Sequence, residues 1–336
     1  MALVASTAAP AGIRRPSQRP LMEAAALFAV LVLIPPLSQL LNDSYLVTLA
    51  TRIVIMAMLA LSLDLVLGYG GLVSFGHAAF FGLGGYTVAV LGFHLDEGVP
   101  ILGFAGSRSG LVTLPLAMAV SGLAALAIGL LSLRTRGVHF IMITLAFAQM
   151  IFYVMVGLKY YGGDDGLIMS ARNSMPGLAL SEPAVFYYAC LAMLLLVFFG
   201  LKRLTNARFG MVLRGARVSE RRMRALGYDV TRYRLAAFVL SGAIAGLAGA
   251  LAANEARFVS PEMLSWIRSG EVIVMVVLGG VGTLIGPVIG AAAFVLLEVW
   301  LADLTEHWML ILGPILVLVV LLLEGGLLSM FGKVRR

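Results

Sequence analysis

Apolar runs of bilayer length recur along the whole chain, and they constrain its fold more than any other feature. A helix needs about 20 apolar residues to cross the hydrocarbon core of a membrane. Apolar residues make up 61% of the 336 residues and charged residues only 12%, with a mean hydropathy of +1.00. The sequence therefore predicts an all-α polytopic membrane protein.

Charged residues and Gly or Pro breaks divide the chain into about ten transmembrane or half-membrane helices, some of them broken at Gly-rich sequences. Residues 264–279 are predicted as a half-crossing element, because the glycines of 279–282 separate them from a full crossing at 283–302. A single crossing there would place the basic C-terminal end outside, against the retention of Lys and Arg in the cytoplasm. The other predicted elements are 21–41, 45–67, 76–95, 111–133, 138–158, 184–201, 235–254 and 307–331.

Residues 202–234 form a basic segment between two apolar runs, with ten of the 24 Lys and Arg residues against two acids. Membrane insertion retains short Lys/Arg-rich loops in the cytoplasm. The basic segment and both termini are therefore predicted there, with an arm at 1–20, a membrane domain at 21–331 and a tail at 332–336. The net charge of +7 is assigned to membrane orientation and lipid contact, and no nucleic-acid partner is predicted.

Within the basic segment, residues 216–226 lack helix breakers and are followed by Gly227, a residue type favoured just after a helix end. Met223 and Leu226 are three residues apart, so they are predicted to share one face of a short helix. That face would present a small apolar contact on an otherwise charged surface. The alternative is a membrane-adjacent loop attracted to anionic lipid.

A Gly-rich run at 68–86 follows the second predicted helix. In lipid, irregular backbone is tolerated only where it is buried in protein or lines a wet cavity. The run therefore indicates either close helix packing or a broken helix beside a translocation path. Ionisable groups in such a place are candidates for function, because burying them is costly. The candidate path residues are Asp64, Gly70, Gly71, Ser74 and His77.

Structural roles for the two ionisable candidates stay open. Asp64 lies near the cytoplasmic end of its predicted helix, where an interfacial or capping role is open to it. His77 is placed to hydrogen-bond a backbone carbonyl that the helix break sets free.

Other chemistries find little support in the sequence. The four histidines, at 77, 94, 139 and 307, lack metal-ligand spacing, so no metal site is predicted. Cys190 is the single cysteine and lies in an apolar run, which indicates a core residue. No Gly-x-x-x-x-Gly-Lys-Ser/Thr loop is present. The chain is therefore predicted to bind no cofactor and to be no enzyme.

Long motifs then connect the chain to a known family. Residues 61–86 closely resemble the signature of LivM-type permeases, subunits of bacterial high-affinity branched-chain amino acid ABC importers. The resemblance covers almost everything from about residue 45 to 300, in order. The further matching motifs are Gly162-Gly-Asp-Asp-Gly-Leu167, Ala207-Arg-Phe-Gly-Met-Val-Leu-Arg214, residues 226–250, Val259-Ser-Pro-Glu262 and residues 276–290.

The resemblance implies a machine of several subunits in the bacterial inner membrane. Its partners would be a second, related permease, two cytoplasmic ATPases that bind ATP and Mg²⁺, and a periplasmic substrate-binding protein. The short helix that docks on an ATPase maps to 219–227, and the residues carried over are Ser219, Glu220, Met223, Ala225, Leu226 and Gly227. Relatives also import urea, short amides and aromatic acids, so these cargoes remain alternatives to branched-chain amino acids.

The chain departs from the family pattern at two places. Asp64 stands where Asn is usual, and 220–227 replaces a more Ala-rich version with arginines, which implies an ATPase surface with compensating acids. An ion-coupled secondary carrier is the alternative of another class. It would need paired acids near the midplane, whereas the acids of this chain lie near the predicted span ends.

Overall fold

The computed structural model describes residues 19–41, 45–100, 106–305, 307–322 and 325–328. Apart from a pair of two-residue strands, regular structure in these ranges is helical. The helices are α1 Arg19–Leu41, α2 Tyr45–Asp64, α3 His77–Glu97, α4 Gly110–Ser132, α5 Val138–Gly157, α6 Pro183–Asn206, α7 Arg208–Val218, α8 Glu220–Ala225, α9 Val230–Ala256, α10 Trp266–Gly279, α11 Gly286–Leu304 and α12 Trp308–Leu322. The strands are β1 Leu167–Ile168 and β2 Phe258–Val259, paired antiparallel.

Seven helices in the described ranges are long and apolar enough to cross a membrane. They are α2 with the π-helical turn Leu65–Tyr69 that continues it, α3, α4, α5, α6, α9 and α11. Helix α1 contains a shorter apolar stretch, and α10 and α12 have 14 and 15 residues. The all-α polytopic class is confirmed. The ten predicted elements correspond to these three shorter helices and the seven long ones, but the predicted end of the last one at 331 is wrong, because α12 ends at Leu322 and Gly326 has φ 70°.

The predicted split after residue 279 is present. Helix α10 ends at Gly279, Gly280 has φ 123°, and α11 begins at Gly286 rather than at 283. Two other predicted bounds shift towards the basic segment, since α6 runs to Asn206 and α9 begins at Val230. Polar residues lengthen both helices beyond their apolar stretches, so hydropathy alone underestimates their length.

Helix α9 lies in the centre of the bundle and packs on α3 and α4 through small residues. A Cβ on Gly84 of α3 would collide with the backbone of Gly246, and a Cβ on Gly246 would collide with Ser121 of α4. One turn away on α9, a Cβ on Gly242 would collide with the side chain of Ala125 of α4. Small residues four apart let helix backbones approach closely in a membrane protein. This contact holds the three central spans together.

The bundle has two chemically different ends. Helices α7 and α8 of the basic segment lie at one end, between α6 and α9. At the opposite end, the α3–α4 and α5–α6 connections meet: Arg108 pairs with Asp96, and Ser170 donates to Asp96 at 2.6 Å. The β1–β2 ladder joins the α5–α6 connection to the chain that follows α9.

Candidate functional site in the basic segment and the Gly-rich break

Helix α7 is amphipathic, and this fixes how the basic segment sits on the bundle. Its buried residues are Gly210, Val212, Leu213 and Ala216, whereas Met211 and Val218 are exposed. Ser219 ends the helix in extended conformation and caps the next one, since its hydroxyl accepts from the Arg222 N–H at 3.4 Å. A serine at this position is a favoured N-cap, so the chain turns here into α8.

Helix α8 ends where the sequence predicts. Gly227 has φ 87°, a conformation that side chains other than glycine adopt with strain. The Gly227 N–H donates to the Arg224 carbonyl at 2.9 Å, and the Tyr228 N–H to the Met223 carbonyl at 3.2 Å. These two bonds form a Schellman motif, which confirms the expected helix end.

Glu220 fastens α8 to the rest of the bundle. Its carboxylate pairs with Arg136 at 2.9 Å, with Arg224 at 2.6 Å and with Arg234 at 3.0 Å. Arg136 precedes α5, and Arg234 lies in the first turns of α9. The Glu220 and Arg234 side chains are each 15% exposed, so this pair is better shielded from water than an ordinary surface ion pair. A single carboxylate thus joins α8 to α9 and to the connection before α5.

The predicted apolar pair on α8 is divided between two surroundings. The Met223 thioether packs onto Gly215 of α7, so it seats α8 against the basic segment. Leu226 is 66% exposed, and Ala225 beside it is also exposed. Met223 is therefore partly buried, because the turn at Ser219 folds α8 back onto α7, and an apolar contact that uses both residues stays a prediction. Leu226 is the more exposed of the two.

The Gly-rich run is a broken helix, and side-chain hydroxyl groups satisfy part of its polar backbone. After Tyr69 the chain leaves the helix and re-enters one at His77. Three hydroxyl groups accept from the N–H groups of this stretch: Thr144 from Phe75 at 3.3 Å, Ser269 from Ala78 at 3.0 Å, and Ser74 from Gly76 at 3.2 Å. Helices α5 and α10 therefore supply hydrogen-bond acceptors to the break. Inside a bilayer such partners must come from protein, because no water is present.

Asp64 ties the break to the chain that joins α10 and α11. It is fully buried, and its Oδ1 accepts from the Gly282 N–H at 2.7 Å. Its Oδ2 has no hydrogen-bond partner among the described residues. Arg217 of α7 donates to the Gly68 carbonyl beside it. This contact connects the basic segment directly to the break.

His77 has a structural environment. It is fully buried, with Nε2 2.6 Å from the Ser241 hydroxyl of α9, and Ser241 donates to the Ser62 carbonyl. Because the hydroxyl proton is used on Ser62, Ser241 accepts from a protonated Nε2. The edges of Phe80 and Phe238 close around the ring. Among the described residues, His77 therefore bonds a serine hydroxyl and not the freed backbone carbonyl that its position in the sequence suggests.

The five candidate path residues meet at the break with different exposure. Asp64, Gly70, Ser74 and His77 are buried, and Gly71 is exposed beside the Arg217 side chain. Their role in a path stays a prediction. Among the described residues, no group of three or more His, Cys, Asp and Glu could hold a metal ion.

Sequence reasoning missed the residues that hold the break in place. Arg217 was counted only as a topology marker, although its guanidinium reaches a carbonyl 149 positions earlier. Thr144, Ser241 and Ser269 passed unnoticed. Hydroxyl side chains inside apolar helices are common interhelical hydrogen-bonding groups, and that was the available signal.

These features define a polytopic helical membrane protein with a polar segment fastened to a broken span. A family model described as branched-chain amino acid transport system / permease component matches residues 45–321. The chain therefore belongs to the permease family of branched-chain amino acid ABC transport systems. No solved structure matches the chain.

Individual relatives agree with the family. The chain is 31% identical over 308 residues to the high-affinity branched-chain amino acid transport system permease protein LivM of Salmonella typhimurium LT2, covering 84% of this chain and 70% of the relative. The protein of the same name from Escherichia coli K12 is 30% identical with the same coverage. A probable branched-chain amino acid transport permease protein LivM of Methanocaldococcus jannaschii is 30% identical over 118 residues, 35% of this chain and 34% of that relative.

Proposed function

We propose that this chain is the membrane-spanning permease subunit of an ATP-driven importer for branched-chain amino acids. A second, related permease would complete the pathway, and two cytoplasmic ATPases would bind ATP and Mg²⁺. A periplasmic binding protein would deliver the cargo. Family membership and the names of the relatives support the cargo class. The observation that carries the proposal is the physical connection from the surface helix α8, through α7, to a broken membrane span.

The proposed coupling route begins at Leu226. This side chain is exposed on a surface rich in arginine, which suits an ATPase groove that combines an apolar pocket with acids. A displacement of α8 would act on α9 through Glu220 and on α7 through Met223. Helix α7 would pass it to the break through Arg217. Packed helices move as units, so a small shift at the surface is carried into the membrane.

We place the translocation path beside the break. In the conformation described here Gly71 is the exposed candidate, so cargo would meet Ser74 and His77 after α7 has withdrawn Arg217 from Gly68. Thr144 and Ser269 each hold the break through a single hydrogen bond to a hydroxyl group, which is compatible with transient rather than tight binding. Discrimination between cargoes would then belong to the binding protein.

The proposed orientation puts the basic segment in the cytoplasm of a cell whose inner membrane holds the protein. Single-cysteine variants test this orientation, because the native Cys190 is buried. An impermeant thiol reagent added outside intact spheroplasts should label Asp165→Cys and leave Val218→Cys unlabelled. Labelling of Val218→Cys from outside would reverse the orientation. Both positions are exposed in the structure.

The coupling role of α8 is tested with Leu226→Asp and Gly227→Val. The first places a charge in the proposed apolar contact, and the second strains a residue with φ 87°, because a β-branched side chain resists that geometry. Both variants should reach the membrane in normal amounts but lose transport-linked ATP hydrolysis and most uptake when assembled with the ATPases. Uptake per assembled complex is the measurement.

Gly98→Val is the matched control for backbone strain. Gly98 has φ 66° at the end of α3, at the end of the bundle opposite the basic segment. As at Gly227, an added Cβ would meet nothing within 4 Å. The control should therefore share the strain but keep uptake and ATP hydrolysis coupled. Normal coupling in both α8 variants would remove this helix from the proposed route.

A further inference from the structure

A group of charged side chains lies within the spans at the end of the bundle opposite the basic segment. Arg52 belongs to α2, Glu298 to α11, Glu255 to the last turn of α9, and Arg268 and Glu271 to the first turns of α10. Ionisable residues inside spans are costly and are functional candidates by default. This group belongs to neither the basic segment nor the break, so the coupling route leaves it unexplained.

Two of the three carboxylates in this group form ion pairs, and the third, that of Glu255, forms none with a residue that the structure describes. Arg52 pairs with Glu298 at 2.7 Å, and Arg268 pairs with Glu271 at 2.7 Å. The carboxylate of Glu255 forms no ion pair within 4.0 Å and no side-chain hydrogen bond among the described residues, although the Arg172 guanidinium, which donates to the Glu255 backbone carbonyl at 3.4 Å, lies near it. Each guanidinium has five N–H donors, so both arginines keep donors beyond those that their carboxylate partners use.

A cavity of about 170 Å³ brings the unused donors and the unused carboxylate together. Arg52, Glu255 and Arg268 supply its charged wall. Its apolar lining includes Ile55, Met56, Phe81 and Met263. Small-molecule sites commonly combine an apolar lining with a few convergent polar groups, and this cavity has both.

We propose that this cavity is an entry site for a zwitterionic α-amino acid with an aliphatic side chain. Glu255 receives the ammonium group, the guanidinium groups of Arg52 and Arg268 receive the carboxylate, and the side chain lies against the apolar wall. The proposal deepens the function proposed above and rests on it for the side of entry. The site is weak, because its arginines are already paired and the cavity opens to the surface.

The charge arrangement selects this ligand class over the other cargoes of related importers. Urea and short amides bring no full charge to Glu255, and an aromatic acid brings only a carboxylate. A ligand that leaves a partly buried charge without a partner forfeits much of its binding energy. A zwitterion satisfies charges of both signs at once.

Ser260→Cys provides a reporter inside the cavity. Ser260 lines the cavity and is partly buried, and its hydroxyl forms no hydrogen bond among the described residues. The purified complete assembly is treated with a water-soluble thiol reagent, without ATP and without the binding protein. L-Leucine at millimolar concentration should slow labelling of the introduced cysteine. 4-Methylpentanoate lacks the ammonium group and 3-methylbutylamine lacks the carboxylate, so neither should protect at the same concentration.

A second substitution tests the role of Glu255. In the Ser260→Cys background, Glu255→Gln should raise the leucine concentration for half-protection about tenfold, the scale of one charge-assisted hydrogen bond. Asp303→Asn is the control, since Asp303 is an exposed acid at the same end of the bundle. It should leave protection unchanged. Unchanged labelling without ligand shows that each variant is folded.

The outcomes separate this site from the proposed function. Protection by leucine requires no ATP hydrolysis, so the site can stand even if uptake proves to be driven by another energy source. ATP-driven uptake without any protection of position 260 overturns the site alone. Equal protection by 4-methylpentanoate, or full protection in Glu255→Gln, also overturns it, because either result removes the ammonium–carboxylate contact.

Discussion

Replacement of Glu220 by Gln should abolish most uptake while the protein remains in the membrane. The change keeps the shape of the side chain but removes the charge that holds three arginines. Loss of a charge-assisted hydrogen bond costs about 1.5–3 kcal/mol, and about 1.4 kcal/mol corresponds to a tenfold change in an equilibrium. Helix α8 should therefore detach from α9, and uptake per assembled complex should fall about tenfold. Transport by the reconstituted complex measures this.

Asp229→Asn is the matched control within the same segment. Asp229 pairs with Arg232, but their side chains are 51% and 86% exposed, and exposed pairs contribute little. It also caps α9 by accepting from the Arg232 N–H, a role that Asn performs equally well. Uptake should remain normal in the control. An equal loss in both variants would mean that total charge, and not the Glu220 cluster, matters.

Gly84→Ala should destabilise the whole bundle. A Cβ at this position would overlap the backbone of Gly246 on α9, and backbone cannot move aside as a flexible side chain can. Overpacking of a close-packed interior costs about 1–3 kcal/mol, and here it separates α3 from the central helix. The apparent melting temperature of the purified protein should fall by several degrees, and less folded protein should be recovered.

Gly92→Ala in the same helix should not destabilise the bundle. A Cβ at Gly92 meets nothing within 4 Å, and Ala favours a helix over Gly by about 1 kcal/mol. The melting temperature should stay the same or rise. If both substitutions lower it equally, the close contact between α3 and α9 is not what holds the bundle together.

The positions of the helices along the chain could largely be predicted from the sequence. Which helices pack against each other could not. Hydropathy placed α3 and α5 within about two residues, and the glycines after 279 marked the end of α10, because crossing a bilayer requires a minimum length. The central place of α9 escaped prediction. Gly242 and Gly246 show that one face is closely packed, but small residues fit many partners.

Only those features of the candidate site that depend on neighbouring residues in the sequence could be predicted. Gly227 revealed its helix end through residue type, because positive φ is a local property. The contact of Arg217 with Gly68 joins positions far apart in sequence, so no local pattern contains it. Arg52 and Glu255 could have been marked as charges inside apolar runs, but only the fold brings them to one cavity.

Reconstitution of the complete assembly in lipid vesicles gives the most direct test of ATP-driven import. Uptake of labelled L-leucine is measured with the two ATPases, the second permease and the binding protein present. Uptake should require ATP on the side of the basic segment, require the binding protein, and persist when proton and sodium gradients are dissipated. Uptake that continues without the ATPases and stops when an ion gradient collapses would contradict the proposal and identify a secondary carrier.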